Sequence, residues 1–251
     1  MLRYAWFTVF ALSCFAPAAF AQEPAPLPTA AEQAVSAAAE GGQYAIIVFH
    51  KDQGAVTQAM KSTVEQGVQK CAGGAATVMV DVSQGSEKAL VQRFGLARTP
   101  MPVAVAVAPN GAITGIYAKT ISDERLAKAF VSPGVANCMK WMQAGKLVFV
   151  WARAGETTVL PACVEDFQRD AEFVGRSGTV MLNQNDPAEV SFFKELGIDT
   201  TRREDAVALL APPGVLVGTF AVNSSKGDVA AALHKAGKCC DDPNCKHNKS
   251  K

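Results

Sequence analysis

The sequence repeats itself once at a nearly constant spacing, and that repeat limits the fold more than any other feature. Val78-Met79-Val80-Asp81 leads into Ala89-Leu90-Val91-Gln92-Arg93-Phe94-Gly95-Leu96. The pattern returns 102 residues later as Val180-Met181-Leu182-Asn183 leading into Ser191-Phe192-Phe193-Lys194-Glu195-Leu196-Gly197-Ile198. Upstream, Ala45-Ile46-Ile47-Val48-Phe49 mirrors Leu147-Val148-Phe149-Val150-Trp151. Downstream, Ala108-Pro109-Asn110-Gly111 through Tyr117 matches Ala211-Pro212-Pro213-Gly214 through Phe220 at a shift of 103. Segments in the same order at a shared shift describe a tandem duplication, so the 251 residues hold two copies of one unit.

Each copy reads as the same series of elements. In the first, an Ala-rich helix over 29–40 ends at Gly41-Gly42, and the apolar run 44–50 predicts a strand buried on both faces. The spacing of Val56, Met60, Val64 and Val68 predicts one core-facing stripe on a helix over 56–71. A strand over 77–81, a helix over 86–94 stopped by Gly95 and a strand over 102–108 follow. Pro109-Asn110-Gly111 turns the chain into a partner strand over 113–117, and Ser122 caps a last helix reaching 130.

The second copy predicts a connecting helix over 133–144, a strand over 147–151 and a helix over 162–173. A strand over 179–183 precedes Asp186 and Pro187, with Glu189 placed to complete a capping box. Strands over 207–210 and 215–222 and a helix over 226–236 close the unit. A parallel β-α-β unit followed by a hairpin and a helix predicts a mixed sheet with helices on both faces.

That order, β-α-β-α-β-β-α, resembles the thioredoxin-fold core. The run from Asp81-Val82 to Phe94-Gly95-Leu96-Ala97-Arg98-Thr99-Pro100 looks like the family stretch that ends at its cis-proline, and Pro109-Asn110-Gly111 resembles the turn after it. The resemblance implies an α/β protein of two tandem thioredoxin-like domains, each a central mixed β-sheet flanked by helices. Their expected limits are 22–132 and 133–237. It also implies a reactive site where the first strand meets its helix, with two cysteines separated by two residues. There a helix N-terminus lowers one thiol's pKa, and the second thiol resolves the mixed disulfide. The aligned tetrads are Gln53-Gly54-Ala55-Val56 and Gly155-Glu156-Thr157-Thr158, and neither contains sulfur. Thr99 and Pro100 are the candidates for the cis-proline and a peptide groove, with Pro102 as the alternative. The second copy has Thr201-Arg202-Arg203-Glu204-Asp205 in this region and no proline.

The two ends of the chain differ from the repeat. Residues 1–21 combine a basic start, an apolar run from Tyr4 to Phe15, Pro17 and Ala19-Phe20-Ala21, the layout of a cleavable export signal. The run is shorter than the roughly 20 residues of a membrane span. An uncleaved anchor and lipid attachment at Cys14 are the alternatives, although Ala11 stands where a large aliphatic residue is preferred. Removing the signal leaves six cysteines in an exported chain, periplasmic or extracellular.

The tail 238–251 carries Cys239, Cys240, Cys245 and His247. Three thiols and an imidazole can bind zinc or copper, or the cysteines can form disulfides or stay free. Cys71, Cys138 and Cys163 lie on predicted helices and read as buried small residues or disulfide partners, and His50, His234, Trp141 and Trp151 as structural. Both tryptophans are placed at the domain junction. A net charge of +1 gives no basic face for nucleic acid, and no later segment can span a membrane. The leading expectation is a redox-inactive, non-catalytic module of the cell envelope that binds or scaffolds a peptide or protein. The alternatives are a metal carrier, or an atypical thiol–disulfide oxidoreductase, working through the tail.

Overall fold

The computed structural model describes residues 28–71 and 73–237, which form two four-stranded sheets, one from each copy of the repeat. The first copy begins with α1 (Ala30–Glu40), β1 (Tyr44–His50), α2 (Ala55–Gln69) and β2 (Ala75–Asp81). A single 3-10 turn and α3 (Lys88–Arg93) lead to the hairpin β3 (Val103–Val107) and β4 (Ile113–Ala118), closed by α4 (Asp123–Ala127). The second copy runs α5 (Pro133–Gln143), β5 (Leu147–Arg153), α6 (Ala162–Arg169), β6 (Ser177–Asn183), α7 (Val190–Glu195), β7 (Ala206–Ala211), β8 (Val215–Ala221) and α8 (Lys226–Ala236). The strand orders are β2-β1-β3-β4 and β6-β5-β7-β8. Among the described residues the β1–β2 and β5–β6 pairs are parallel and the other pairs antiparallel. Each half is therefore a thioredoxin-like α/β domain, the fold class expected from the sequence. The expected signal 1–21 and tail 238–251, with Cys239, Cys240, Cys245 and His247, lie outside the described residues.

The central strands are apolar on both faces because helices cover both. Ala45, Ile47 and Phe49 of β1 pack with Val103, Val105, Val35 and Leu90. Ile46 and Val48 point the other way, onto Ala104, Met60, Val64 and Leu126. In the second domain Val148 and Val150 meet Cys138 and Phe193, while Phe149 and Trp151 meet Cys163 and Phe167. A small signature is kept in both hairpins. The Tyr117 ring lies over Gly115, and the Phe220 ring over Gly218, in the space a Cβ would take.

Some expectations change in three dimensions. Met60, Val64 and Val68 of α2 pack on the core as expected, together with the buried Thr57 and Gly67, but Val56 is 53% exposed. Leu126 of α4 occupies the space a Cβ on Gly67 would need. The helices at 123 and 162 end early, yet Phe173 still stacks on Phe167 from the following turn, with centroids 4.0 Å apart. Trp141 and Trp151 belong to the second-domain core rather than to the junction.

Helix α5 is more than a connector. It covers one face of the second sheet and also meets the first domain, where Ala136 packs with Ala108 and Ala112. Gln143 brackets Ile113, its Nε2 donating to the carbonyl at 2.6 Å and its Oε1 accepting from the N–H at 3.0 Å.

Glu189 does not complete the capping box expected at 186. It is 1% exposed, and its carboxylate accepts from the Ser132 hydroxyl at 2.6 Å and from the Gly134 N–H at 2.7 Å. Those groups form the N-terminus of α5, whose unpaired N–H groups and positive dipole end suit a buried anion. Glu87 stands 102 residues earlier, and its carboxylate accepts from Thr29, the N-cap of α1, at 3.2 Å. The duplication thus kept a carboxylate under the first helix of each domain.

Truncating Glu189 to Ala leaves buried donors without partners and should cost about 2–4 kcal/mol. Urea unfolding followed by Trp141 and Trp151 fluorescence reads the second domain. Glu87→Ala, in the other domain, should move that transition by less than about 0.5 kcal/mol.

Candidate functional site

In the first domain the expected tetrad does lie where β1 delivers the chain to α2. Gly54 is the N-cap of α2, and its N–H donates to Asp52 Oδ1 at 2.8 Å, which forms a tight turn after the strand. Gln53 is tied into a side-chain network. Its Oε1 accepts from Gln58 Nε2 at 2.8 Å, and its Nε2 lies 3.3 Å from His50 Nε2. His50 is 5% exposed, and its Nδ1 has no partner among the described residues. Asp81 pairs with His50 in strand register, but its carboxylate serves the next turn, accepting from the Ser83 hydroxyl at 2.7 Å and N–H at 2.9 Å. The Ser83 hydroxyl, then its N–H, hold the Asp81 carboxyl below the usual range.

The cis peptide bond in this region is Met101-Pro102, so Pro102 and not Pro100 takes the cis-proline position. Pro102 is buried where the chain passes into β3, whereas Pro100 is exposed in the turn after α3 and Thr99 donates its N–H to Leu96. Of the two prolines expected, Pro102, the alternative, therefore holds the cis bond and Pro100 does not. Beside Pro102 a cleft of about 460 Å³ is lined by Lys51, Asp52, Val56, Met101, Lys119 and Thr120. It runs into a second cleft of about 310 Å³ past Ala59, Met60 and Ile121, sharing Val56, Lys119 and Thr120. The first two turns of α2 therefore form one wall of a continuous groove, with the exposed Val56 in both parts.

The second domain is built differently at the same place. Strand β5 continues to Arg153, and Pro161 is the N-cap of α6. Gly155, Glu156, Thr157 and Thr158 occupy the exposed loop between them, where Arg153 Nη1 donates to the Thr157 carbonyl at 2.9 Å. Matching Pro161 to Gly54 by their capping role places Leu160-Pro161-Ala162-Cys163 at the tetrad position, a correction to the sequence alignment. The longer loop shifts the helix start. Cys163 thus stands where Val56 stands in the first domain, but it is 1% exposed among Phe149, Trp151 and Phe167. The signal for it was the Pro-x-Cys step at the head of a helix.

Here polar side chains bind the backbone at the strand ends, beside a cleft of about 310 Å³ lined by Asp205, Ala206, Thr219 and Ala221. Asp205 accepts from the Ala154 N–H at 2.8 Å and from Trp151 Nε1 at 3.1 Å. The buried Gln184 donates to the carbonyls of Ala152 and Glu204 at 3.1 and 2.8 Å.

The three cysteines of the described residues form no disulfide with one another. Burial, then the charge of Glu189, pushes the Cys138 thiol up from its ordinary 9.0 to about 12, and burial pushes Cys163 up as well. Among the described residues no three His, Cys, Asp or Glu side chains come together as a metal site, and no helix is long and apolar enough to cross a membrane. The thiolate attacks iodoacetamide and displaces iodide. At pH 8 native protein should lose Cys71, which is half-buried, while Cys138 and Cys163 react only after unfolding, as peptide mapping would show. The proton on Cys138 is held more tightly in the folded state. Its contribution to stability is therefore intact below about pH 9 and lost as pH rises toward about 12.

No family model matches the sequence, and no curated protein matches it. Among solved structures, the zinc-bound form of human ERp44 aligns at 12% identity and a TM-score of 0.34, over 80% of this chain and 57% of that one. The chain therefore spans little more than half the length of that protein. The first two thioredoxin domains of Eps1p from Saccharomyces cerevisiae align at 15% identity and a TM-score of 0.28, over 84% of this chain and 98% of that one. The NTD_N/C domain of alkylhydroperoxide reductase AhpF from Enterococcus faecalis aligns at 15% and 0.29, over 80% and 96%. The structures this chain is similar to thus include thioredoxin-domain proteins, and its own strand order and connections make it two thioredoxin-like domains in tandem.

Proposed function

We propose that this chain is an exported, non-catalytic module that holds an extended apolar peptide segment in the groove beside Pro102. The observation that carries the reading is the pairing of an open groove with a tetrad position free of sulfur. Gln53, Gly54, Ala55 and Val56 cannot exchange disulfides, and the cleft next to them is open in the first domain. The backbone N–H and C=O of Met101 make no hydrogen bond among the described residues. A peptide in extended form can take up such groups as an added strand does, while its apolar side chains meet Val56, Ala59 and Ile121. Lys51, Asp52 and Lys119 at the rim supply mixed charge and favour no strongly charged ligand. In this reading the second domain, where Asp205 and Gln184 bind the backbone at the equivalent strand ends, serves as a scaffold. Export rests on the signal-like residues 1–21. A metal-carrying or disulfide-exchanging tail would act instead through Cys239, Cys240, Cys245 and His247.

The test uses a carboxymethylated, permanently unfolded protein as the peptide source, with binding read by fluorescence anisotropy. Val56→Asp places a charge on the groove wall and should weaken binding by about tenfold or more, equivalent to about 1.4 kcal/mol, with far-UV circular dichroism unchanged. Insulin reduction by the parent chain should not exceed that of an equal concentration of free thiol. Unchanged binding by the Val56→Asp variant would overturn the groove. Insulin turnover that disappears on replacing Cys239, Cys240 and Cys245 with Ser would establish the tail as catalytic.

A further inference from the structure

A second cavity lies at the opposite end of the first domain from Pro102, and the peptide-groove reading makes no use of it. It is an open cleft of about 790 Å³ between the C-terminal end of α2, the start of β1, the segment after α4 and the first turns of α5. Its walls come from both domains, with Tyr44, Phe130 and Pro109 on one side and Pro133, Ala136 and Ala188 on the other. Tyr44 and Phe130 meet edge to face, their centroids 5.2 Å apart, and form an aromatic wall.

The polar groups of this cavity are already engaged with one another. The Tyr44 hydroxyl donates to the Val131 carbonyl at 2.8 Å and accepts from the Val131 N–H at 3.1 Å. The Ser132 hydroxyl donates to Glu189 and accepts from the Val135 N–H at 3.3 Å. Lys70 and Asp123, the charged residues of the lining, pair at 2.7 Å and cancel. The Asn110 amide donates to Asn137 at 2.9 Å while its oxygen accepts from the Ala112 N–H at 3.0 Å. A charged or strongly polar ligand would lose its water here and find few partners in return. An apolar ligand loses little and gains the aromatic and proline surfaces. The volume lies in the range of small-molecule sites, which favour domain interfaces.

We infer that this inter-domain cavity binds a compact, neutral, largely apolar small molecule, independently of the peptide groove. Because both domains supply walls, the ligand bridges them. Cys71 lines the same cavity, half-buried, and so reports on occupancy.

The test titrates the full chain with N-phenyl-1-naphthylamine, a neutral fluorescent probe. The expected result is saturable binding at one site per chain, with the alkylation of Cys71 slowed by about fivefold or more at saturation. Ala127→Trp, at an exposed lining position on α4, should weaken the probe by about tenfold or more with circular dichroism unchanged. Val56→Asp should leave it unaffected, which separates this site from the peptide groove. Absence of saturable binding, or a Cys71 rate that does not respond to saturating probe, would overturn the inference on the unaltered chain. So would binding lost in the Val56→Asp variant but kept in Ala127→Trp.

Discussion

The hold of Glu189 on the first turn of α5 decides more than the stability of one helix. A buried carboxylate is costly unless donors surround it, and here a hydroxyl, an N–H and the positive end of a helix converge on it. Helix α5 is fixed by that contact on one side and by the core residues Cys138 and Trp141 on the other. Its outer face then carries Ala136, Asn137 and Gln143 to the first domain's β3–β4 turn. The placement of the two domains, and the cavity between them, thus follow from one capped helix. The same contact exists in weaker form between Glu87 and Thr29, where α1 has only its own sheet to serve.

Two copies of one fold present different ends. In the first domain a short turn through Asp52 brings α2 up at once, and Met101 and Pro102 face a cleft. In the second, the chain continues to Arg153 and loops through seven residues before Pro161, and Asp205 and Gln184 bind the backbone there. The Ala154 N–H and the carbonyls of Ala152 and Glu204 are thereby paired inside the domain. The two ends differ in loop length and in two polar side chains, on sheets whose strand pairing is the same.

Much of the fold was legible because its signals are local or periodic. Apolar runs such as Ile46-Ile47-Val48-Phe49 mark strands buried on both faces, and Ser122 marks a helix start that the structure confirms. The candidate site was legible in the first copy, where Gly54 caps α2 as the alignment implies. It was not legible in the second, because a loop insertion has no period and moved the tetrad to Leu160–Cys163. The choice between Pro100 and Pro102 was equally hidden. Both are X-Pro steps, and only the packing of the chain into β3 distinguishes the buried proline from the exposed one.

The amino-acid sequence by itself determined the duplication, the order of elements in each copy, and the lack of sulfur at Gln53 to Val56, since these depend on residue identity and on spacing along the chain. The tertiary structure alone decided which partner each long-range polar group takes. Glu189 reads in sequence as the third residue of a capping box, yet it reaches 55 residues back to Gly134. Tyr44 reads as a strand residue, yet its hydroxyl closes on Val131 and makes one wall of a cavity. Such choices are set by the distances that packing leaves between elements, and no local pattern records those distances.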